Sequence, residues 1–236
     1  MTSTLLLKLS GPLQSWGHQG RFDSRTTGSQ PTKSGVLGLI AAAQGRRRSD
    51  SLEDLLQLRF AVRIDQPGKI LHDYQTAQTW QEKGKPRTSL VSRYFLQDAV
   101  FLAAVESQNR TVLEGIREAV RHPRFPLYLG RRSCPANWDL IQGIVDVDAV
   151  KALHDAPWLA GVPHRRSSAR TVYLPIYRDA AGSEAGERRQ DVPLSFDQGN
   201  REYGWRTVVE HGEPVTRANE LGQKSPDPFF DTVVQA

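Results

Sequence analysis

Cysteine is nearly missing from this chain. Cys134 is the only one in 236 residues, so no intrachain disulfide can form and a four-cysteine zinc site is excluded. A reducing, cytoplasmic setting is therefore expected. Long apolar runs are also lacking. The N-terminal Leu5-Leu6-Leu7-Lys8-Leu9 is too short for the core of a secretory signal, and nothing approaches the ~20 apolar residues of a membrane span. The six histidines, at 18, 72, 122, 154, 164 and 211, show neither HxxxH nor HExxH spacing, so no metal site is expected. No Gly-x-Ser-x-Gly elbow occurs, and Cys134 stands beside Pro135 with no histidine nearby. The sequence also shows no internal repeat.

Hydrophobic residues make up 38% and charged residues 24%, an ordinary globular composition. The net charge is +5 and the pI about 9.5, carried largely by arginine. Because its planar fork matches phosphate geometry, an arginine-rich chain suits an acidic partner, most simply a nucleic acid.

Thr4 to Leu9 reads as a buried strand ended by Ser10-Gly11-Pro12, followed by a polar loop over 11–31. Thr32 is a suitable N-cap for a three-turn helix with Val36, Leu37, Ile40 and Ala43 inward and Gly45 as its stop. Gly35 and Gly38 leave one face of it bare. Ser51 and Asp54 suggest a capping pair for a short helix ending near Leu58. Phe60 to Asp65 alternates like a strand up to a turn at Pro67-Gly68, with Ile70 to Ala77 pairing back on it. The polar, basic segment 78–90 reads as an exposed loop or the tip of a long hairpin, and Val91 to Val105 as the returning strand. Asn109 or Thr111 caps a helix with Val112, Ile116, Ala119 and Val120 inward, ended by His122-Pro123; Pro126 to Leu129 is the next expected strand. The order strand, helix, strand, strand, helix, strand predicts an α+β chain with a ferredoxin-like, RRM-like N-terminal domain over 1–140. The remainder, 141–236, reads as a smaller β-rich region with strands near 143–147, 171–177 and 206–210 and a mobile connection over 180–190.

The Lys33-Ser34 pair resembles a phosphate loop only in part. Thr32 stands where that motif needs glycine, more than twenty residues separate Leu9 from Lys33, and no later strand ends in an evident magnesium ligand. Nucleotide hydrolysis is not expected. Two readings stay open for Thr32, Lys33 and Ser34: a phosphate held at a helix start, or a capped core helix with a solvated lysine. Tyr128-Leu-Gly-Arg131-Arg132-Ser133-Cys-Pro is either a guanidinium clamp for phosphate or a solvated basic turn. Trp16, Phe22, Tyr74, Trp80 and Tyr94 lie among Arg21, Arg25, Arg87 and Arg93, so bases could stack beside phosphate contacts, with some of these rings going to the core. His72 and Tyr74, on a strand beside a basic loop, are candidates for metal-independent RNA cleavage. Arg46 to Arg48, at the far end of the helix, read as solvated or as a contact with a neighbour.

Four motifs in order, GPLQSWG at 11–17, PTKSGVLGLIAAAQG at 31–45, HDYQT at 72–76 and PLYLGRRSCP at 126–135, resemble the CasD family of type I-E CRISPR Cascade complexes. The resemblance implies a ferredoxin-like domain with a β-hairpin thumb at about 74–93. It implies no catalytic residues, no cofactor and no metal. The implied partners are the 5′ handle of the CRISPR RNA, the CasC backbone filament that the protein caps, the adjoining large CasA subunit and, through the assembled complex, target DNA. By motif match the RNA-binding residues would be Gln14, Ser15, Trp16, Thr32, Lys33, Ser34, Tyr74, Arg93, Arg131, Arg132 and Ser133, joined by the neighbouring cations Arg21, Arg25 and Arg87. Lys33, Arg93, Arg131 and Arg132 would hold phosphates; Trp16 and Tyr74 would shape or stack bases. Type I-C relatives are endoribonucleases, which leaves precursor processing as the alternative.

Overall fold

The computed structural model describes residues 2–17, 24–78 and 88–223, with Ser24 and Arg25 as backbone alone. The expected site residues Arg21 and Arg87, and the aromatics Phe22 and Trp80, lie outside the described residues. In chain order the elements are β1 (Ser3–Ser10), β2 (Leu13–Gln14), β3 (Ser24–Arg25), α1 (Lys33–Ala43), α2 (Glu53–Leu56), β4 (Arg59–Gln66), β5 (Lys69–Gln78), β6 (Thr88–Gln97), β7 (Val100–Ser107) and α3 (Arg110–Arg121). There follow β8 (Ile141–Val145), α4 (Ala149–Asp155), α5 (Val162–Ser167), β9 (Thr171–Leu174), β10 (Ile176–Asp179), β11 (Glu187–Ser195), β12 (Glu202–Glu210) and β13 (Val215–Ala218).

The fold is mixed α+β and mostly antiparallel. Seven strands form one sheet in the order β11-β12-β10-β4-β7-β1-β8. Central β1 and β7 are largely apolar, with Lys8 the charged interruption in β1, because both of their faces are covered. Leu5, Leu7 and Leu9 share a cluster with Phe101, Ala103 and Val105 of β7, Val36, Leu37 and Ile40 of α1, and Leu113 and Ile116 of α3. The alternate residues Leu6, Leu102 and Ala104 pack on the other face against Ala152 and Leu153 of α4, Trp158, Leu174 and Val215. The sheet face that an RNA-recognition motif would offer to bases is therefore buried under the C-terminal segment.

α1 starts and stops where expected. Thr32 Oγ1 accepts from the Gly35 N–H at 3.1 Å, and Gly45 takes φ 77° just beyond the end. The bare face at Gly35 and Gly38 is filled by aromatic rings: a Cβ on Gly35 would stand 2.8 Å from the Trp16 ring, and one on Gly38 would stand 3.3 Å from Phe196. The cap of α3 is Asn109, whose side chain accepts from the Thr111 N–H at 3.0 Å.

Several expectations are corrected. Ile70 to Ala77 pairs with β6 rather than with β4. The expected single strand from Val91 to Val105 is two strands in different sheets, parted at Asp98, which has φ 54°. Pro126 to Leu129 is a loop with one bridge, Tyr128 to Pro135, and the strand beside β1 is instead β8, whose residues lie past 140. Asp54 does not cap α2; it is ion-paired with Arg46, which is therefore not simply solvated. The expected mobile connection gives way to strand at Glu187, while α4 was not foreseen although Asp148, Ala149, Ala152 and Leu153 carry cap and helical spacing.

Candidate nucleic-acid interface

β5 and β6 form a hairpin of ten paired residues on each side, Lys69 opposite Gln97 and Gln78 opposite Thr88, with its tip outside the described residues. Its base is fixed by the N-terminal motif. β2 pairs with β6, and the buried Gln14 side chain donates to the carbonyls of Leu9 at 3.1 Å and Ala99 at 2.7 Å while accepting from the Trp16 indole at 3.0 Å. Ser15 N–H donates to Leu129 O at 3.0 Å, and its hydroxyl donates to Tyr94 O at 3.3 Å. GPLQSWG thus joins the hairpin to the distant basic turn.

That turn is closed by the Leu129 N–H to Cys134 O bond at 2.7 Å and the Cys134 N–H to Arg131 O bond at 2.9 Å, so Arg131, Arg132 and Ser133 form its tip. Arg132 and Ser133 are exposed. Burial raises the Cys134 thiol pKa, so this cysteine is inert packing behind the turn. Arg131 lies over the Phe95 ring, with its guanidinium carbon 5.0 Å from the centroid. Arg93, two residues before Phe95, shares that face of β6. Its Nε is buried and has no hydrogen-bond partner, and Asp73, directly opposite, forms no ion pair with it.

The other face of the hairpin carries aromatic rings. His72 stacks on Tyr94 with centroids 4.5 Å apart and planes 11° from parallel, and Tyr74, 59% exposed, is the next ring along β5. Arg93 and Arg131 therefore lie on the face opposite His72, Tyr74 and Tyr94, and among the described residues the outer edge of β5 is unpaired. Arg25 pairs with Arg93 through its backbone in the parallel β3–β6 contact.

The helix-start residues behave differently. Lys33 is only 7% exposed, and its ammonium is 2.9 Å from Asp179. Its backbone N–H donates to Asp191 Oδ2 at 2.9 Å, so a carboxylate of the chain occupies the place read as a phosphate site. Arg206 links both acids, at 2.6 Å to Asp179 and 2.6 Å to Asp191, and lies over Phe60. Burial alone would raise the Asp191 carboxyl pKa, but the Arg206 guanidinium more than reverses that and holds it below the usual range. Burial likewise disfavours charge on Arg206, and the two carboxylates overcome this. Thr32 is engaged as the cap, and the Ser34 hydroxyl lies 3.3 Å from it. Thr32, Lys33 and Ser34 are thus a seam docking α1 on β10, β11 and β12. Trp16 and Gln14 are fully buried, and Ser15 is buried beside them. No spacing rule could have found the seam, since its acids lie 146 and 158 positions from Lys33. Lys33→Gln is expected to lower stability by about 1–3 kcal/mol and leave RNA affinity unchanged; thermal melts and fluorescence anisotropy on the same sample check both.

Among the described residues no group of three or more His, Cys, Asp or Glu is placed to hold a metal, and no helix is long and apolar enough to cross a membrane. The scaffold is α+β, with arginines on one face of an exposed hairpin, aromatic rings on the other and a basic turn against the arginine face. The chain belongs to the CRISPR-associated protein (Cas5) family, whose model matches residues 4–209. It is 36% identical to the CRISPR system Cascade subunit CasD of Escherichia coli (strain K12) over 171 residues, covering 65% of this chain and 76% of that one. Among solved structures it is similar to a chain of a CRISPR RNA-guided surveillance complex, with TM-score 0.75, 29% identity and 98% of both chains covered. It is similar also to a Cas protein at TM-score 0.67 and 36% identity, over 95% of this chain and 100% of that one.

Proposed function

We propose that this protein is a non-catalytic, CRISPR RNA-binding subunit of a type I-E Cascade complex. It holds the 5′ handle of the RNA, caps the CasC filament beside CasA, and meets target DNA through the assembled complex. Family membership and the likeness to CasD support this reading. The observation that carries it is the meeting of Arg93, with its partnerless buried Nε, and the Arg131–Ser133 turn on one face of β6. Arg93, Arg131, Arg132 and Ser133 bind phosphates there, and Tyr74 stacks a base after the strand crosses the β5 edge. The hairpin is the thumb. The strand order β8-β1-β7-β4, with α1 and α3 as the crossovers on one face, supports a ferredoxin-like reading of the scaffold.

RNA cleavage without metal needs a general base and acid poised at the scissile phosphate. His72 is instead stacked flat on Tyr94, and its ring centroid lies 6.2 Å from that of Tyr74. Incubated with labelled precursor RNA in the absence of metal, the protein is expected to bind the RNA and leave it intact. Handle-specific cleavage that disappears in His72→Ala or Tyr74→Phe would establish the processing role instead.

A further inference from the structure

The arginines of this chain are not alike. Arg46, Arg59, Arg63, Arg110, Arg178 and Arg206 are each ion-paired within the fold. At the C-terminal ends of α1 and α3 a different set gathers. The Arg124 N–H donates to Ala43 O at 3.0 Å and the Phe125 N–H to Ala42 O at 3.3 Å, so the segment after α3 lies against the end of α1. A Cβ on Gly45 would stand 2.9 Å from Arg124 Cβ. The sequence Gly45-Arg46-Arg47-Arg48 therefore meets Arg121-His122-Pro123-Arg124-Phe125. Arg47, Arg48, Arg121 and Arg124 are all exposed, and none of these side chains bonds to a described residue. Of the acids nearby, Asp54 is paired with Arg46, Asp50 accepts from the Arg47 N–H at 2.7 Å, Glu118 lies 3.3 Å from His122, and Glu53 sits in the first turn of α2.

We propose that Arg47, Arg48, Arg121 and Arg124 form a second nucleic-acid surface, separate from the hairpin, that holds the phosphate backbone of a DNA duplex. Arg121 stands in the last turn of α3, where the helix C-terminus favours a cation. The four guanidinium forks meet phosphate oxygens, where lysine would offer only point charges. A protein partner would be met through an apolar centre, and this surface offers mainly charge. Unstacked bases need aromatic platforms. The surface has Phe125 and His122, the latter held beside Glu118 and neither stacked on another ring among the described residues, against the stacked His72 and Tyr94 with Tyr74 beside them on the hairpin, so backbone contact with a duplex fits it better than single-strand binding.

The test uses the purified full chain, a random-sequence duplex DNA and the single-stranded handle RNA, each followed by fluorescence anisotropy across a salt series. Substituting all four arginines by glutamine is expected to weaken duplex binding at least tenfold and to reduce its log–log salt slope by about 3–4, at about 0.9 per phosphate contact. Handle affinity stays unchanged. Arg131→Gln with Arg132→Gln is expected to do the reverse, which separates this surface from the handle site. If the fourfold variant fails to fold, the pairs Arg47→Gln/Arg48→Gln and Arg121→Gln/Arg124→Gln should each reduce the slope by about 2. The proposal is overturned if the wild-type chain does not bind the duplex, if duplex affinity and slope survive the substitutions, or if RNA and duplex binding fall together.

Discussion

Arg63→Ala is expected to destabilise the protein by about 3–5 kcal/mol, the range for breaking a buried ion pair from one side. Both side chains of the Arg63–Asp65 pair are fully buried. Arg63 donates to Asp65 at 2.7 and 2.9 Å, to Ala156 O at 2.8 Å, to Pro157 O at 2.6 Å, and to Leu153 O. These carbonyls close the end of α4 and begin the segment leading to Trp158, whose indole donates to Asp65 O at 2.8 Å. Alanine would strand a carboxylate in the interior and remove the Arg63 donor from the Leu153 and Pro157 carbonyls, while Ala156 O keeps its bond from Arg217 at 3.3 Å. The layer that covers the second sheet face would lose its anchor to β4. Urea unfolding followed by circular dichroism measures the loss, and the double variant Arg63→Ala/Asp65→Ala should recover part of it because no buried charge remains. A loss below about 1 kcal/mol would mean that the pair contributes no more than a surface ion pair.

Gly130→Ala is expected to reduce handle affinity at least tenfold, about 1.4 kcal/mol, without altering a single charge. Gly130 has φ 88°, and a Cβ there would stand 1.7 Å from the carbonyl oxygen of Ser15, which no rotamer change can relieve. The left-handed conformation alone costs an L-residue about 1–2 kcal/mol. Because Ser15 is itself bonded to Leu129 and Tyr94, the turn must give way, and Arg131 to Ser133 move off the β6 face. Affinity should fall while the net charge and the overall fold by circular dichroism stay the same. Wild-type affinity in this variant would show that the geometry of the turn is immaterial to binding.

The parts of this structure that were legible in sequence are those governed by local rules. The cap at Thr32 and the stop at Gly45 follow from hydrogen-bond geometry over a few residues, and the α3 stripe follows in part from its period, with Leu113, outside the expected set, buried beside Ile116 and Val120. The basic turn was visible from Gly130-Arg131-Arg132, although it replaces an expected strand. Lys33 reads as a phosphate ligand because its chemistry suits phosphate as well as a carboxylate, and only the return of β10 and β11 brings Asp179 and Asp191 to it. Trp16 reads as a ring for bases in sequence, and in the fold it fills the bare helix face at Gly35. The alternation of Phe60 to Asp65 suggests one wet face, yet α4 and its following loop cover it, and Arg63 and Asp65 are buried as a pair. Tertiary partners more than a hundred positions away leave no periodic trace.

The most direct measurement is the salt dependence of handle RNA binding, by fluorescence anisotropy, for the wild type and for Arg93→Gln/Arg131→Gln/Arg132→Gln. Removing three phosphate contacts from a single strand should lower the log–log slope by about 2, at about 0.7 per contact, and weaken binding at least tenfold. An affinity and a slope equal to those of the wild type would contradict the placement of the RNA on this face of the hairpin.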